Sequence, residues 1–588
     1  MAEYAEERPM LADGPPMGFL KEKGYSKLQD ATVEDEFHPD WRLKCIMATI
    51  GLLNFVVAVD ATSVSVALPT ISTDLGGTAT EAFWAGTSFL VASCVVQPVF
   101  SLSSDIFGRK IILMFAVTAF TVGSILAAIA KGWTVLLLGR SIQGVGGGGL
   151  LTLTEILIAD LIPLRERGKW FSIKSGSQAF GTVTGPLIGG AFTQTSSWRW
   201  IFWFNVPFTG IGLVLIPIFL KLDRAPVSIL KELAKVDYVG SVISVASLTS
   251  FLIPMTWGGV MYSWTSWHTL VPLIVGLLGM VGFAVYEAYV PKKPLIPIVI
   301  FSNVTICISY FGTFLHGLVL WSIVYYLPLY YEGVLAYNPV ISGLAVFPEC
   351  LTIAPVAVIT GFAVSKVGDY RWALWTGWPI VVLGVGILYM LGPDTSVPKW
   401  IFLNIPAGIG CGMLYPSVQL AVQASANPDF ITMVVTMTPF FRTLGQAVGV
   451  AIGGVVFQNR IKKQFNEQPG LGATADKYAS DASSLVEFIK TLPSGGTERT
   501  TIVSLYSKSL GTVWLVMCGI AGLGMLTSFL VKKYSLDQQL ESKQGLRGSR
   551  ADLEPLRERS DSEDGRERDM EMDGGEVVSE LTPVMLTH

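Results

Sequence analysis

Charged and titratable side chains are scarce in this sequence. Only 15% of its 588 residues are Asp, Glu, Lys or Arg, against about a quarter in ordinary soluble domains. Its four histidines are scattered and no paired acidic motif accompanies them, which argues against an enzyme active site. A net charge of -4 provides no basic surface for nucleic acid. The sequence also lacks a G-x-x-x-x-G-K-[ST] phosphate loop, which argues against an ATP-driven pump.

Cysteine is equally sparse. The six cysteines lie in apolar stretches without CxxC or Cys/His spacing, so neither a disulfide framework nor a zinc site is indicated, and we expect no metal and no cofactor. Residues 1–41 are polar and lack the short apolar core and small-residue cleavage site of a secretory signal. We therefore expect the first apolar stretch to be an uncleaved membrane helix.

Apolar residues are abundant instead. They make up 51% of the chain, and the mean hydropathy is +0.53. A membrane-spanning helix needs about 20 mostly apolar residues, and fourteen runs in the sequence meet this requirement. The runs cover approximately 43–68, 82–101, 111–130, 133–158, 171–191, 201–220, 238–256, 268–287, 304–329, 341–361, 373–391, 400–424, 431–456 and 510–531. The sequence thus predicts an all-α integral membrane protein with fourteen transmembrane helices.

The Lys and Arg residues between the runs predict the orientation of the chain. Cytosolic loops carry an excess of both residue types. In alternate loops we count thirteen, against Lys131, Arg199 and Lys399 in the other short loops, which places both termini in the cytosol. The thirteen are Arg109, Lys110, Arg165, Arg167, Lys169, Lys221, Arg224, Lys231, Lys235, Lys292, Lys293, Lys366 and Arg371. Loop 457–509 begins with basic residues yet is assigned to the outside, because long loops translocate largely regardless of charge.

Glycines form a repeated pattern within the runs. The stretch GRSIQGVGGGG at 139–149 fits the G-x-G-x-x-G pattern of dinucleotide loops, but it lies inside the fourth run, where glycines let helices approach closely. Glycines at 144, 146 and 148 recur 264 residues later at 408, 410 and 412, and those at 181, 185 and 189 recur at 445, 449 and 453. The expected packing positions are Gly144, Gly148, Gly181, Gly185, Pro186, Gly189, Gly445, Gly449 and Gly453.

The shared offset predicts two related halves, in which runs 1 to 6 are repeated as runs 9 to 14 and runs 7 and 8 are inserted between them. Repeated halves with a site between them are a transporter architecture. The expected organisation is a cytosolic tail (1–41), a six-helix bundle (42–220), a linker with two extra helices (221–303), a second bundle (304–531) containing the long outer loop 457–509, and a disordered cytosolic tail (532–588).

Several motifs carry a specific resemblance. SDIFGRK at 104–110 resembles the G-x-x-x-D-R-x-G-R-K loop of the major facilitator superfamily, and GFAVSKVGDYR at 361–371 is a weaker copy. VDATSVSVALP, RSIQGVG and GTVTGPLIGG resemble further signatures, and fourteen runs point to the drug:proton antiporter branch. SWRWIFWFNVPFTG, YYLPLYYEG and FFRTLGQAVGVAIGGVVFQN resemble fungal members that export toxins and secondary metabolites. Ser101 and Ile106 depart from the first motif, where the family has glycine and arginine.

The resemblance implies a major facilitator fold, with two pseudo-symmetric six-helix bundles and two extra central helices. It also implies a cytosolic gate, which holds the outward-facing state closed through charge and helix-end interactions. The gate residues are Asp105, Gly108, Arg109, Lys110, Gly361, Gly368 and Arg371. The alternative is that these residues only anchor the helices in the positive-inside orientation.

Charges inside the apolar runs are costly and usually have partners or line water. Asp60 and Arg140 lie at similar depth, either as a proton-coupling pair or as a permanent ion pair between two helices. Glu349 and Arg442 also lie at comparable depth. They either pair with each other, or Arg442 meets an anionic substrate. His316 lies in the middle of the ninth run, as a packing residue or in contact with protons or substrate.

Amide and aromatic side chains suggest a substrate cavity, because amides hydrogen-bond oxygenated ligands and aromatic faces stack on rings. The candidates are Gln143, Gln178, Trp321, Tyr325, Gln419 and Gln446. Together these features predict a proton-coupled exporter of amphipathic small molecules that works by alternating access as a monomer in the plasma membrane or the vacuolar membrane. Its expected partners are substrate, protons and lipid. The alternatives are a proton-coupled importer, such as a siderophore carrier, and a membrane receptor without transport.

Overall fold

The structure is a computed structural model that describes residues 39–76, 79–222, 237–258, 262–291, 294–468, 482–493 and 496–537. The tails predicted at 1–41 and 532–588 lie almost wholly outside these ranges, as do Arg224, Lys231, Lys235, Lys292 and Lys293 of the predicted linker. Within the ranges the architecture is all-α. Its helices before residue 220 are α1 (Trp41–Asp74), α2 (Ala79–Val95), α3 (Gln97–Phe107), α4 (Arg109–Ala128), α5 (Trp133–Leu161), α6 (Leu164–Thr195) and α7 (Trp200–Phe219).

The remaining helices follow in two groups. The linker contains α8 (Tyr238–Trp257) and α9 (Trp267–Tyr289). The second half contains α10 (Val304–Gly333), α11 (Pro339–Ala345), α12 (Phe347–Val367), α13 (Arg371–Ile387), α14 (Val397–Ala424), α15 (Ile431–Asn466), α16 (Ala482–Thr491) and α17 (Thr497–Ser528). A helix or a pair of consecutive helices therefore occupies each of the fourteen predicted runs.

The structure gives fewer candidate membrane spans than the fourteen runs of the sequence. Among the described residues, twelve helices are long and apolar enough to cross a membrane, or thirteen when the bent pair of α2 and α3 counts as one span. The pair bends by 46° at the start of α3, where Pro98 lies in the first turn, because proline cannot continue the backbone hydrogen bonding of the preceding helix. The remaining run is α6, which has 32 residues but is rich in Gly, Ser, Thr and charged side chains. The count of fourteen stays a prediction.

The glycines of α5 and α14 occupy equivalent places in the two halves. A methyl group on Gly144 or Gly148 would overlap the backbone of α2, and a methyl group on Gly408 or Gly412 would overlap the backbone of α12. Gly146 and Gly410 face α4 and α13 in the same way. Glycine is required at these positions because the neighbouring backbones leave no room for a β-carbon.

The glycines of α6 and α15 repeat a second contact. Gly181, Gly185 and Gly189 lie against the backbone of α1, whereas Gly445 and Gly449 lie against the backbone of α10. The last glycine of that set, Gly453, contacts the ring of Tyr326 on α10. Pro186 lies inside α6, and its ring faces Gly343 of α11. The 264-residue repeat in the sequence thus coincides with a repeated packing scheme.

The two halves meet along α6 and α12, and also where α3 and α5 contact α15. At the first contact, Gly361 leaves no space for a side chain beside Gly168 and Ser172. The extra helices α8 and α9 pack against each other, and α8 also contacts α2 and α15. Trp84 and Trp257 meet edge to face there, with ring centroids 5.7 Å apart. The two inserted helices therefore border one side of the junction between the halves.

The segment predicted as the outer loop 457–509 is largely helical. Helix α15 continues to Asn466, and α17 begins at Thr497. Between them, α16 buries Leu485, Val486 and Ile489 against α10, α15 and α17. The apolar run ends at Val456, but the backbone hydrogen bonds of α15 continue to Asn466, so hydropathy alone does not mark the end of this helix. The position of the segment outside the membrane stays a prediction.

Candidate functional site

Five polar side chains from four helices form a cluster inside the first half, which we call the Asp60 cluster. Arg140 Nη1 lies 2.5 Å from Asp60 Oδ2. Gln143 Nε2 donates to Asp60 Oδ1 at 2.7 Å, and Asn205 Nδ2 donates to the same oxygen at 2.8 Å. Ser124 accepts a further hydrogen bond from Gln143 at 2.9 Å. Both oxygens of the Asp60 carboxylate therefore have partners.

Arg140 also connects the cluster to two neighbouring helices. Its Nε donates to the carbonyl of Ala85 at 2.9 Å. Its guanidinium carbon lies 4.7 Å from the ring centroid of Phe89 and 5.8 Å from that of Phe202. Neither Asp60 nor Arg140 has any solvent-exposed surface. Removing one charge of a buried pair leaves the other uncompensated, so protonation of Asp60 requires Arg140 to move or to gain a new partner.

Sequence depth places Asp60 beside Arg140, and the structure has the two side chains in contact. Sequence reasoning missed Asn205 and Ser124. Asn205 is a polar residue within the sixth apolar run, and this position alone marks it as a candidate for a buried hydrogen bond. The contact between Gln143 and Asp60 places Gln143 in the cluster and not in a substrate cavity.

The buried acidic and basic residues of the second half do not pair with each other as those of the first half do. Glu349 and Arg442, the other suggested pair, form no ion pair. Both oxygens of Glu349 lack a hydrogen-bond partner among the described residues, and the side chain is 1% exposed. Asn404 stands where Arg140 stands in the first half, and its Nδ2 donates to the Tyr331 hydroxyl at 2.6 Å. Of the two alternatives for these residues, the structure does not show the pairing, because equal depth does not determine the direction in which a side chain leaves its helix.

Arg442 stacks on an aromatic ring. Its guanidinium carbon lies 3.7 Å from the ring centroid of Tyr415, and the residue is 5% exposed. His316 meets the same ring edge to face, with centroids 5.7 Å apart. His316 Nε2 lies 3.2 Å from the carbonyl of Cys411. Because a carbonyl only accepts, this nitrogen carries the hydrogen.

A small cavity of about 40 Å³ lies between the halves. Most of its surface is apolar, and both halves contribute amide and hydroxyl groups to it. Its lining residues are Val57, Ala58, Ala61, Phe89, Leu90, Ser93, Leu151, Gln178, Thr182, Trp321, Thr443 and Gln446. Of the six candidate cavity residues, Gln178, Trp321 and Gln446 line it. Phe89 joins the cavity to the Asp60 cluster, since its ring also contacts Arg140.

The other candidates lie elsewhere. Tyr325 is 40% exposed and meets Tyr326 edge to face, with centroids 5.0 Å apart. Gln419 lies on α14 and does not line the cavity. Its Nε2 donates to Glu155 Oε2 at 3.0 Å. This contact belongs to the first of two polar seams that join the halves.

The first seam follows one face of α14. The Tyr415 hydroxyl donates to Gln178 Oε1 at 3.1 Å, Gln419 follows one turn later, and Gln423 accepts from Arg167 Nη1 at 2.9 Å. Residues four apart share a helix face, so all three point towards the first half. Glu155 is held on its other side by Lys174 Nζ at 2.8 Å.

The second seam follows α15. Arg109 Nη2 donates to Thr432 at 3.0 Å, and Thr436 donates to Ser101 at 2.9 Å. Further along the helix, Thr443 accepts from Gln97 at 3.4 Å. Both seams run from the level of Arg109 to the cavity, because Gln178 and Thr443 line it. We call this side of the molecule the Arg109 end.

Arg109 is the centre of the predicted gate. It is 2% exposed and binds Asp105 at 2.6 Å, Asp160 at 2.9 Å and Ser104 at 2.6 Å. Gly108 permits the tight connection from α3 to α4, since its φ of 93° is one that L-residues rarely adopt. Sequence reasoning missed Asp160, together with Glu155 and Lys174, although each is a charge within or beside an apolar run.

The remaining gate candidates lie apart from Arg109. Lys110 Nζ donates to the carbonyl of Pro217 at 2.9 Å. Gly368 ends α12 in the left-handed conformation, and Arg371 stacks on Trp375 at 4.3 Å. Asp369 beside them binds Lys533 at 3.0 Å. Partial burial raises the pKa of Asp369, but hydrogen bonds from Arg371 and Lys533 outweigh it and hold that pKa below its usual range.

Comparisons with known proteins agree with this architecture. The sequence profile described as Major Facilitator Superfamily matches residues 50–450. The chain is 47% identical to MFS transporter L2 of Phoma sp. over 87% of its own length and 86% of the relative. It is 34% identical to Efflux pump FUS6 of Gibberella fujikuroi, with 90% and 95% coverage. Among solved structures, the proton:xylose symporter XylE is similar in fold, with a TM-score of 0.52, 14% identity and coverage of 82% and 100%.

Proposed function

Because the chain belongs to the Major Facilitator Superfamily, a family of multi-pass membrane transporters and not of enzymes, we propose that it exports amphipathic small molecules in exchange for protons. The relatives named efflux pumps support export. The observation that carries proton coupling is the Asp60 cluster, a buried carboxylate whose partners come from α5 and α7.

Protonation of Asp60 provides the coupling. A neutral carboxyl no longer balances Arg140, and an uncompensated buried guanidinium costs several kcal/mol. The cluster is relieved when α1 and α5 separate enough to admit water or another partner. Those helices also line the cavity through Ala61 and Leu151, so a proton on Asp60 changes the walls of the substrate site.

The two polar seams provide the alternating access. In this conformation they seal the cavity from the Arg109 end, which the Lys and Arg distribution assigns to the cytosol. Opening that end requires the seam hydrogen bonds to break and α6 to separate from α12. Export then follows from binding with the Arg109 end open, closure of the seams, release at the opposite end and exchange for protons. One proton moving through 100 mV supplies about 2.3 kcal/mol, which drives transport without ATP.

We place the protein in the plasma membrane as a monomer, with both termini in the cytosol. The lipid-facing apolar surface of α9, which is largely exposed, fits a membrane environment. Microscopy of a fluorescently tagged full chain in a fungal host separates the plasma membrane from the vacuolar membrane.

The test of proton coupling is efflux of preloaded fluorescent and toxic compounds from a pump-deficient yeast strain. We expect wild-type export to be abolished by a protonophore and Asp60→Asn to export at least tenfold more slowly, because an amide cannot take a proton. Asp74→Asn is the matched control. Asp74 lies on the same helix but pairs with Arg199 at its surface, so its export rate stays within twofold of wild type. Protonophore-sensitive export at the wild-type rate by Asp60→Asn contradicts the role given to Asp60.

A further inference from the structure

Arg442 is a buried cation without a counter-charge. It is 5% exposed, its Nε has no hydrogen-bond partner, and no ion pair or hydrogen bond joins it to any residue that the structure describes. Its contact with the face of Tyr415 at 3.7 Å uses none of the guanidinium N–H groups as hydrogen-bond donors. A cation buried without a counter-charge is unfavourable, and a bound anion removes that cost.

The two buried carboxylates that lie at comparable depth in the membrane runs do not serve as that partner. Asp60 is bound by Arg140, Gln143 and Asn205. Glu349 makes no ion pair, and its oxygens are without hydrogen bonds. The second half therefore holds a positive charge that no described acidic side chain neutralises.

The pseudo-symmetry relates Arg442 to a residue that lines the cavity. Arg442 is not itself a lining residue, but Thr443 and Gln446 beside it on α15 are. The 264-residue offset relates Gln178 to Arg442 and Thr182 to Gln446, and Gln178, Thr182 and Gln446 all line the cavity. Arg442 and Gln446 are four residues apart and share one face of α15. Tyr415, on which Arg442 stacks, donates its hydroxyl hydrogen to Gln178. Arg442 is thus the equivalent, in the second half, of a cavity residue in the first.

We propose that Arg442 binds the carboxylate of the exported compound, so that the transported class is amphipathic organic acids. This assignment rests on the proposed function. The planar guanidinium binds a carboxylate through two parallel hydrogen bonds. The apolar body of the compound lies against Phe89, Leu90, Leu151 and Trp321, which form the remaining wall of the cavity.

The experiment compares two probes that share one apolar body. Full-length protein in lipid nanodiscs is titrated with 1-pyrenebutyrate and with its neutral amide. We expect the wild type to bind the carboxylate at least tenfold more tightly than the amide. Arg442→Gln weakens carboxylate binding by about 10- to 100-fold, because a hydrogen bond to a charged group is lost, and leaves amide binding within twofold. Arg442→Lys retains part of the preference, since lysine keeps the charge but not the two-point geometry.

Arg460→Gln is the matched control, because Arg460 lies on the same helix and is exposed. It preserves binding of both probes. The proposal is overturned if the wild type shows no preference for the carboxylate, or if Arg442→Gln weakens both probes equally. If Arg442→Gln does not yield folded protein, Arg442→Lys tests the proposal instead. Lysine cannot form the two parallel hydrogen bonds, so an Arg442→Lys variant that keeps the full wild-type preference for the carboxylate over the amide contradicts a bidentate site.

A flux measurement separates this proposal from the proposed function. Proteoliposomes with an imposed pH gradient are loaded with each probe in turn. Loss of carboxylate flux in Arg442→Gln, with unchanged pH-driven flux of the amide, supports both proposals. A wild type that prefers the carboxylate in binding but moves neither probe with the pH gradient supports Arg442 as the anion site and contradicts proton-coupled export.

Discussion

In the first half of the molecule Asp60 and Arg140 lie side by side with both carboxylate oxygens hydrogen-bonded, whereas in the second half Glu349 and Arg442 are buried apart. The surrounding helices nevertheless pack in the same way, as the glycines at 144 and 408 both face a neighbouring backbone. Repeated packing therefore does not bring repeated electrostatics with it. The first half neutralises its buried charge internally, whereas in the second half Glu349 and Arg442 form no ion pair with each other or with any other described residue.

The same contrast extends to the polar seams. The first half contributes charged groups to them, including Arg109, Glu155 and Arg167, while the second half contributes neutral Thr432, Gln419 and Gln423. Charged groups of the first half are each held by a partner within that half, such as Lys174 for Glu155. The neutral side of the seams can consequently withdraw without stranding an ion. This arrangement suits a junction that opens and closes.

The largest expected effect comes from removing each buried arginine in turn. Arg140→Met leaves Asp60 charged and unpaired, and we expect it to destabilise the protein by about 3–5 kcal/mol. Arg442→Met removes a cation that has no partner in the chain, so the stability of the substrate-free protein stays the same or rises. Thermal unfolding of the purified variants in detergent measures both.

The double variant Asp60→Asn with Arg140→Met is the control for this comparison. It removes both charges, so we expect it to recover most of the stability lost in Arg140→Met. If Arg442→Met destabilises the substrate-free protein as strongly as Arg140→Met, Arg442 has a partner within the chain and the contrast between the halves fails.

A smaller effect is expected from replacing the packing glycines by alanine, and equivalent glycines of the two halves should lose similar amounts of stability. Gly148→Ala places a methyl group on the backbone of Ser93, and Gly412→Ala places one on the backbone of Ile353. Each should lower stability by about 1–3 kcal/mol, again by thermal unfolding. Gly522→Ala is the control because a β-carbon there meets no atom within 4 Å. Sensitivity at only one of the two glycines contradicts a shared packing scheme.

Much of the fold follows from the sequence, because hydrophobic run length and glycine spacing are one-dimensional signals. The runs predict where the helices lie, and the 264-residue offset predicts which of them are equivalent. Helix ends are harder to predict, as α15 shows by continuing to Asn466 beyond its apolar run. The bend at Pro98 divides one predicted helix into two, which hydropathy alone does not detect.

The candidate site was less predictable. Depth along a helix brought Asp60 to the level of Arg140, and the two side chains meet. For Glu349 and Arg442 the same reasoning left pairing as one of two alternatives, and these side chains do not meet. Contact also depends on rotation about the helix axis and on which helices are neighbours, and neither is encoded in the depth of a residue. Asn205 and Asp160 can be recognised in the sequence as polar residues within or beside apolar runs, but which helices lie next to Asp60 and Arg109 cannot be read from those runs.

The smallest expected effect concerns the seam, where a neutral residue of the second half meets a charged residue of the first. Gln419→Ala removes one hydrogen bond between the halves but leaves Glu155 bound to Lys174. A lost hydrogen bond of about 0.5–1.5 kcal/mol increases the population open at the Arg109 end by roughly 2- to 10-fold.

Thiol labelling measures this population. Thr182→Cys places a thiol at the cavity in a background with the six native cysteines replaced, and a membrane-impermeant maleimide is applied from the Arg109 side of inside-out vesicles. Gln464→Ala is the matched control, because Gln464 accepts its hydrogen bond from Ser509 within the second half at 3.0 Å. We expect faster labelling with Gln419→Ala and no change with Gln464→Ala. Equal acceleration by both variants attributes the effect to general loosening of the second half. In that case the seam does not hold the Arg109 end closed. The contrast between charged seam residues in the first half and neutral ones in the second half then has no role in opening.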